Sequence, residues 1–235
     1  MKKKCKYKSK PLIIISILLF LTGIIVILYP YVCRNLYQHQ ADKVNSEFRQ
    51  RMEEDTGNWD WLYYLMVAYN KGLYEEKQKK LVDPFSYSQP DFSLMEFGFE
   101  EEMIGYLSIP KMDVRLPIYL GANEENMEKG AVHLTQTSLP VGGLNTNAVI
   151  AAHRGMSTAV MFRDIEKLEI GDEVAITNFR ETLYYHVAEI KIINPTNIDE
   201  ILIQPGCDIV TLITCHPYRY NYQRYVVYCE RVMDE

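Results

Sequence analysis

The sequence predicts a mainly β domain closed into a barrel, preceded by two helices and a membrane-spanning helix. Three observations carry that prediction. A lysine-rich start runs into a long apolar stretch, two amphipathic stripes follow, and from Met103 short apolar runs alternate with turn residues.

The first ten residues hold six lysines, Lys2, Lys3, Lys4, Lys6, Lys8 and Lys10. Residues 11–29 are then apolar apart from Ser16, Thr22 and Gly23. About 20 apolar residues cross a bilayer as a helix. A flanking lysine cluster stays on the cytoplasmic side. Residues 1–10 are therefore read as a cytoplasmic tail and residues 11–29 as a single-pass transmembrane helix, with the remainder outside the cell. A cleaved signal peptide is the alternative. The apolar run is long for one, and Tyr29-Pro30-Tyr31-Val32-Cys33 follows it rather than a small-x-small cleavage site.

Residues 30–80 are predicted to be helical. Tyr37, Ala41, Val44, Phe48 and Met52 recur at spacings of three and four. Thr56-Gly57-Asn58 interrupts the pattern, and Leu62, Leu65, Met66, Tyr69 and Leu73 form a second stripe. Trp59, Trp61, Tyr63 and Tyr64 are read as helix-packing residues. Residues 81–102 are irregular, with Pro84, Pro90, Ser86, Ser88 and Ser93. A connection of that length inside a compact domain is usually functional or disordered.

Residues 103–235 read as the barrel. Predicted strands are Ile104–Ile109, Val114–Leu120, Asn147–His153, Glu173–Phe179, Thr182–Ile193, Asp208–Cys215 and Arg224–Arg231. Short helical pieces are expected near Glu124–Lys129 and Thr158–Leu168. Gly142-Gly143, Asn178 and Pro195 mark turns. No repeat or low-complexity segment interrupts this order.

Charge excludes one class of partner. Six of the 25 basic residues precede the membrane segment, leaving 19 against 31 acidic ones, a net charge of −12. Nucleic-acid binding needs a basic footprint. The five cysteines do not form a disulfide framework. Cys5 and Cys33 lie at the membrane, and Cys207, Cys215 and Cys229 are an odd number in an exported domain. A Cys207–Cys229 bridge is disfavoured by strand alternation, which turns Cys229 away from the face of Arg224. Cys229 is read as a small buried apolar residue.

Cys215 ends the apolar run Ile209-Val-Thr-Leu-Ile-Thr-Cys215, Arg224 opens the next, and His153 ends the run Ala148-Val-Ile-Ala-Ala-His153. A thiol, an imidazole and a guanidinium at strand ends suit acyl transfer through a thioester. A cysteine thiol is only slightly ionised at neutral pH and needs a base or cation beside it. His216 adjoins Cys215 and alternates away from it, so it is a poor base. His133 is expected to be a hydrogen-bonded structural residue, and His39 and His186 surface or strand residues. No His/Cys spacing fits zinc, and no metal or cofactor is implied.

Thr214-Cys215, a loop and Arg224 resemble the sortase signature of a Thr-Cys pair followed by Arg. Ser138-Leu-Pro-Val-Gly-Gly143 and Asn145 to Gly155, with Leu116-Pro-Ile-Tyr119 and Met161-Phe-Arg-Asp164, are similar to the His region of class C, pilus-building sortases. The resemblance spans residues 60–231. It implies an eight-stranded sortase-type β-barrel that cleaves an LPXTG-like sorting signal through a thioacyl-enzyme and transfers the acyl group to an amine. The acceptor would be a pilin lysine or a cell-wall amine. Cys215 would be the nucleophile, His153 the acid and base, and Arg224 the substrate or oxyanion donor.

Asp83-Pro84-Phe85 matches the class C lid, an Asp-Pro-aromatic tripeptide expected to occupy the active-site groove when closed. Two features depart from the pattern. The sequence stops at Glu235 without the usual second membrane segment, and His216 replaces the usual small residue after the cysteine. Two other readings compete. One is a different Cys/His acyl transferase such as an L,D-transpeptidase, whose Ser-His-Gly-Cys motif is absent. Papain-like proteases place Cys before His, the reverse of this chain. The other is a non-catalytic membrane-tethered scaffold.

Overall fold

The computed structural model describes residues 9–54, 59–81, 90–156 and 158–232. Helix α1 runs unbroken from Ser9–Glu54, through Pro30, as one 46-residue element. Its first part is all exposed apolar surface, with Phe20 and Leu19 each 69% exposed. That surface suits lipid rather than water, making this helix a candidate membrane anchor. Its second part buries Ala41 and Phe48, with Tyr37, Val44 and Met52 partly buried beside them. The amphipathic stripe thus exists, but on the same helix as the apolar run.

Helix α2 (Trp59–Glu75) buries Leu62, Met66 and Leu73. Leu65 is exposed instead of buried, and Asn70 takes a core position. Asn70 satisfies itself there by donating to the Leu139 carbonyl at 3.0 Å and accepting from the Leu139 N–H at 2.7 Å. Trp59 stacks against Phe99 and Phe179, as packing predicts. Trp61 and Tyr64 remain largely exposed.

Eight strands follow: β1 (Met103–Ile109), β2 (Val114–Leu120), β3 (Ala131–His133), β4 (Thr146–Ala151), β5 (Glu173–Asn178), β6 (Thr182–Ile193), β7 (Asp208–His216) and β8 (Gln223–Arg231). They close as β1-β2-β3-β4-β7-β8-β6-β5. The pairs β2/β3 and β4/β7 are parallel and the rest antiparallel. Closure leaves no sheet edge exposed for pairing with another chain.

Two local expectations change. β3 is three residues long, too short for any period to announce it. The stretch 158–168 is not a helix; only a 3-10 turn, Ile165–Lys167, forms. Phe162, Ile165 and Leu168 have helical spacing, but Met161 is left-handed (φ 40°), which breaks any helix through it. Helix α3 (Glu124–Lys129) forms as expected, its Asn123 side chain accepting from the Asn126 N–H.

Alternation along β4, β7 and β8 builds two packing faces. Ala148, Ile150, Ala152, Val210, Leu212, Tyr225, Val227 and Cys229 join the larger core cluster. Val149, Ala151, Ile213, Val226 and Tyr228 belong to a second cluster, covered by Leu81 and Ile201. Buried Asn147 holds that cover in place. It donates to the Ile201 carbonyl at 3.0 Å and accepts from the Thr211 hydroxyl at 2.7 Å.

Candidate active site

The three predicted residues come from three neighbouring strand ends. In the antiparallel β7/β8 ladder, Cys215 sits directly opposite Arg224. In the parallel β4/β7 ladder the last pair is Ala151 with Ile213. The Ala152 N–H continues to the Ile213 carbonyl, and the Thr214 hydroxyl donates to the Ala152 carbonyl at 2.7 Å. His153 and Cys215 each lie two residues beyond that last pair, at the same end of the two adjacent strands. Neighbouring strands lie about 4.8 Å apart. β7 is the central strand of the three, so Cys215 lies on the strand between the one that precedes His153 and the one that carries Arg224.

The same alternation assigns a face. Ala151, Ile213 and Val226, each two residues from a site residue, share the second cluster. Cys215 and Arg224 share that parity at the end of β7 and the start of β8, while His153 lies two residues beyond β4. All three are half-buried. Leu81, which precedes the sequence region of the predicted lid, packs in this cluster. Asp83, Pro84 and Phe85 themselves lie outside the described residues. The chain is anchored again beyond them, where the Leu94 N–H and the Ser93 hydroxyl both donate to Glu102.

Burial pushes the His153 imidazole below its ordinary pKa, and the Glu128 carboxylate partly offsets this. The ring is therefore mainly neutral at pH 7, able to take a proton from a thiol. Arg224 directs Nη1 to the backbone carbonyls of Asn221 (2.7 Å) and Gln223 (3.0 Å). Those bonds hold the guanidinium at the mouth of the β7–β8 loop. Tyr218, Tyr220 and Tyr222 of that loop are exposed.

The remaining candidates sort as the sequence predicts. His133 is fully buried. Its Nε2 donates to the Ser138 carbonyl at 2.9 Å, with the Thr137 hydroxyl 3.1 Å away. Desolvation lowers its pKa to about 4. His39 is exposed on α1, and His186 lies on β6. Cys229 is buried in the larger cluster, where desolvation pushes its thiol pKa up. Cys207 is a free thiol before β7. Among the described residues, no group of three His, Cys, Asp or Glu side chains could hold a metal ion.

Two residues at this end carry interactions the sequence did not announce. Arg154 is only 2% exposed, and its Nη2 lies 2.6 Å from the Glu166 carboxylate. Arg154 follows His153 in the sequence, and that adjacency was the one available signal for it. Glu166 had none, because only the tertiary fold carries its turn to this place. Cavities elsewhere are unconnected with the chemistry; one of about 380 Å³ is lined by Phe48, Met52, Trp59, Phe99 and Met103 beside α1.

Comparison with known proteins agrees with this fold. The sortase domain family matches residues 107–232. Sortase A of Bacillus anthracis is 28% identical over 217 residues, covering 91% of each chain. Among solved structures, Streptococcus pneumoniae sortase C superposes with a TM-score of 0.74 at 35% identity. It covers 82% of this chain and 97% of that one. A pilus-related sortase C of Group B Streptococcus gives 0.65 at 34% identity, covering 84% and 95%. A closed eight-stranded barrel, a family match over more than half the chain and these pilus-type, class C neighbours lead to one conclusion: the chain belongs to the sortase family.

Proposed function

We propose that this sortase is a membrane-anchored cysteine transpeptidase acting on surface proteins or pilins with an LPXTG-like sorting signal. The observation that supports the reading is the register of β4, β7 and β8, which pairs Cys215 with Arg224 and ends β4 two residues before His153. The Cys215 thiol passes its proton to His153, and the thiolate attacks the carbonyl carbon of the sorting-signal threonine. Arg224 donates to the developing oxyanion. The C–N bond breaks, His153 returns the proton to the leaving amine, and a thioacyl-enzyme remains. An incoming amine attacks that thioester, His153 takes its proton, and the thiolate leaves.

The pilus-type neighbours support a pilin lysine as acceptor, with a cell-wall amine as the other arm of the test. Asp83-Pro84-Phe85 is proposed as a lid over the groove, with Leu81 buried beside the strands that bear the site in support. The apolar part of α1 supports a cell-membrane location with the barrel outside. Family membership sets aside the L,D-transpeptidase alternative. The scaffold alternative is separated by activity.

The test uses the full chain in detergent micelles, a panel of sorting peptides, and both lysine-bearing and cell-wall-type amines. The expected result is a thioacyl adduct on Cys215 by mass spectrometry and an amide product. Cys215→Ala should form neither, while Cys207→Ala should keep turnover within about tenfold. Full turnover by Cys215→Ala would refute the assignment.

A further inference from the structure

The strand faces opposite the thiol hold a second set of side chains at the same end of the barrel. Arg154 follows His153, His216 follows Cys215 and Tyr225 follows Arg224. Alternation turns each away from its partner in the proposed site. These three side chains meet one another. The Arg154 guanidinium lies 5.5 Å from the Tyr225 ring centroid, and the His216 ring lies 5.8 Å from the same centroid. Arg154 Nη1 donates to His216 Nδ1 at 3.0 Å and, at a longer 3.4 Å, to the backbone carbonyl of Cys215. Its Nη2 pairs with Glu166 at 2.6 Å, and Glu166 is also 3.5 Å from His216 Nδ1.

A buried charge needs a strong reason and good partners. Here one guanidinium, nearly sealed from water, touches the segment of each proposed site residue. It belongs to the segment of His153, bonds to the carbonyl of Cys215 and covers the neighbour of Arg224. Glu166 neutralises it from the Ile165–Lys167 turn and remains half exposed. The interaction is directional. Only a planar fork can reach a carboxylate, an imidazole nitrogen and a carbonyl oxygen at once; an ammonium on a flexible stem is a point charge.

We infer that Arg154 is a positioning residue for the transpeptidation reaction, fixing the mutual placement of the His153, Cys215 and Arg224 segments from behind the site, with Glu166 as its counter-ion. The inference rests on the catalytic roles proposed above. Arg154 is itself almost fully buried, at 2% exposure. It sets the backbone at Cys215, and a displacement of about 1 Å at a reacting group can lower a rate by about 100-fold.

The test compares Arg154→Lys, Arg154→Ala, Glu166→Gln and Cys215→Ala in the full chain in micelles. It measures kcat and KM for a sorting peptide, the alkylation rate of Cys215 and the thermal melt. Arg154→Lys should lose about 10- to 100-fold in kcat, with KM within threefold, a wild-type alkylation rate within threefold and a folded barrel. Glu166→Gln preserves an acceptor for Nη2 and should retain at least a third of kcat. Wild-type kcat in Arg154→Lys, or a change confined to KM, would overturn the inference. So would loss of the folded state in both Arg154 variants, which makes the residue structural. The Cys215→Ala control separates the two claims: if it retains turnover the catalytic reading fails, whereas normal turnover in Arg154→Lys beside a dead Cys215→Ala removes only the positioning role.

Discussion

Acidification from pH 7 to pH 4 should destabilise the barrel through one buried side chain, His133. In the unfolded chain an imidazole takes up its proton near pH 6.5. In the folded barrel the His133 ring is wholly desolvated on β3 and resists protonation down to about pH 4. Between those values only the unfolded chain binds the extra proton. Stability from this residue is therefore complete above pH 6.5 and is lost as pH falls through the window to about 4. Each pH unit is worth about 1.4 kcal/mol, so the window of about 2.5 units removes about 3 kcal/mol. That is a large part of the roughly 5–15 kcal/mol that holds a domain folded. His133→Gln keeps an N–H donor for the Ser138 carbonyl but cannot titrate. Denaturant unfolding of both proteins in micelles at pH 4, 5, 6 and 7 gives the comparison. The gap between wild type and variant should shrink or invert by about 3 kcal/mol on acidification. Parallel pH profiles would refute the assignment of this loss to His133. Activity offers an independent reading: the His153 imidazole also sits below its ordinary pKa. Turnover in the His133→Gln background should therefore fall reversibly on acidification, at a lower pH than an unperturbed imidazole would set.

Arg224→Lys should lose about 100- to 1,000-fold in turnover with the fold intact, because a lysine cannot reproduce the fork; near-normal turnover would make Arg224 structural. His153→Ala should abolish transpeptidation while His216→Ala, whose ring faces Arg154 and Tyr225, keeps most of it; the reverse order in a peptide-transfer assay would exchange their roles. Asp83→Ala or Phe85→Ala should speed alkylation of Cys215, since a closed lid limits access by its open fraction. Equal alkylation rates in wild type and both variants would remove the gating role.

Much of the site was legible because period-two alternation is a strong constraint. Cys215, Arg224 and Cys229 lie on two runs whose parity alone assigns their faces, and the ladder β7/β8 keeps that parity without a bulge. The apolar run after the lysines was equally plain, since a candidate membrane anchor is recognised by composition and length. What failed were elements whose identity is decided by neighbours. β3 exists because β2 and β4 supply its hydrogen bonds, three residues having no pattern of their own. The 158–168 stretch has helical spacing at Phe162, Ile165 and Leu168, yet those residues are buried from a chain that turns left-handed at Met161.

The sequence by itself determined the chemistry available: one thiol, one imidazole and one guanidinium placed at strand ends, with a polar loop before the barrel. Residue types, alternation and breakers are local properties, and they survive without knowledge of the fold. Only the tertiary structure decided the neighbours. It chose the parallel pairing of β4 with β7, which draws together the strands that lead to His153 and Cys215, 62 residues apart in the chain. It also carried Glu166 to buried Arg154. No local pattern encodes such meetings, because strand partners and buried ion pairs are selected by closure of the whole barrel.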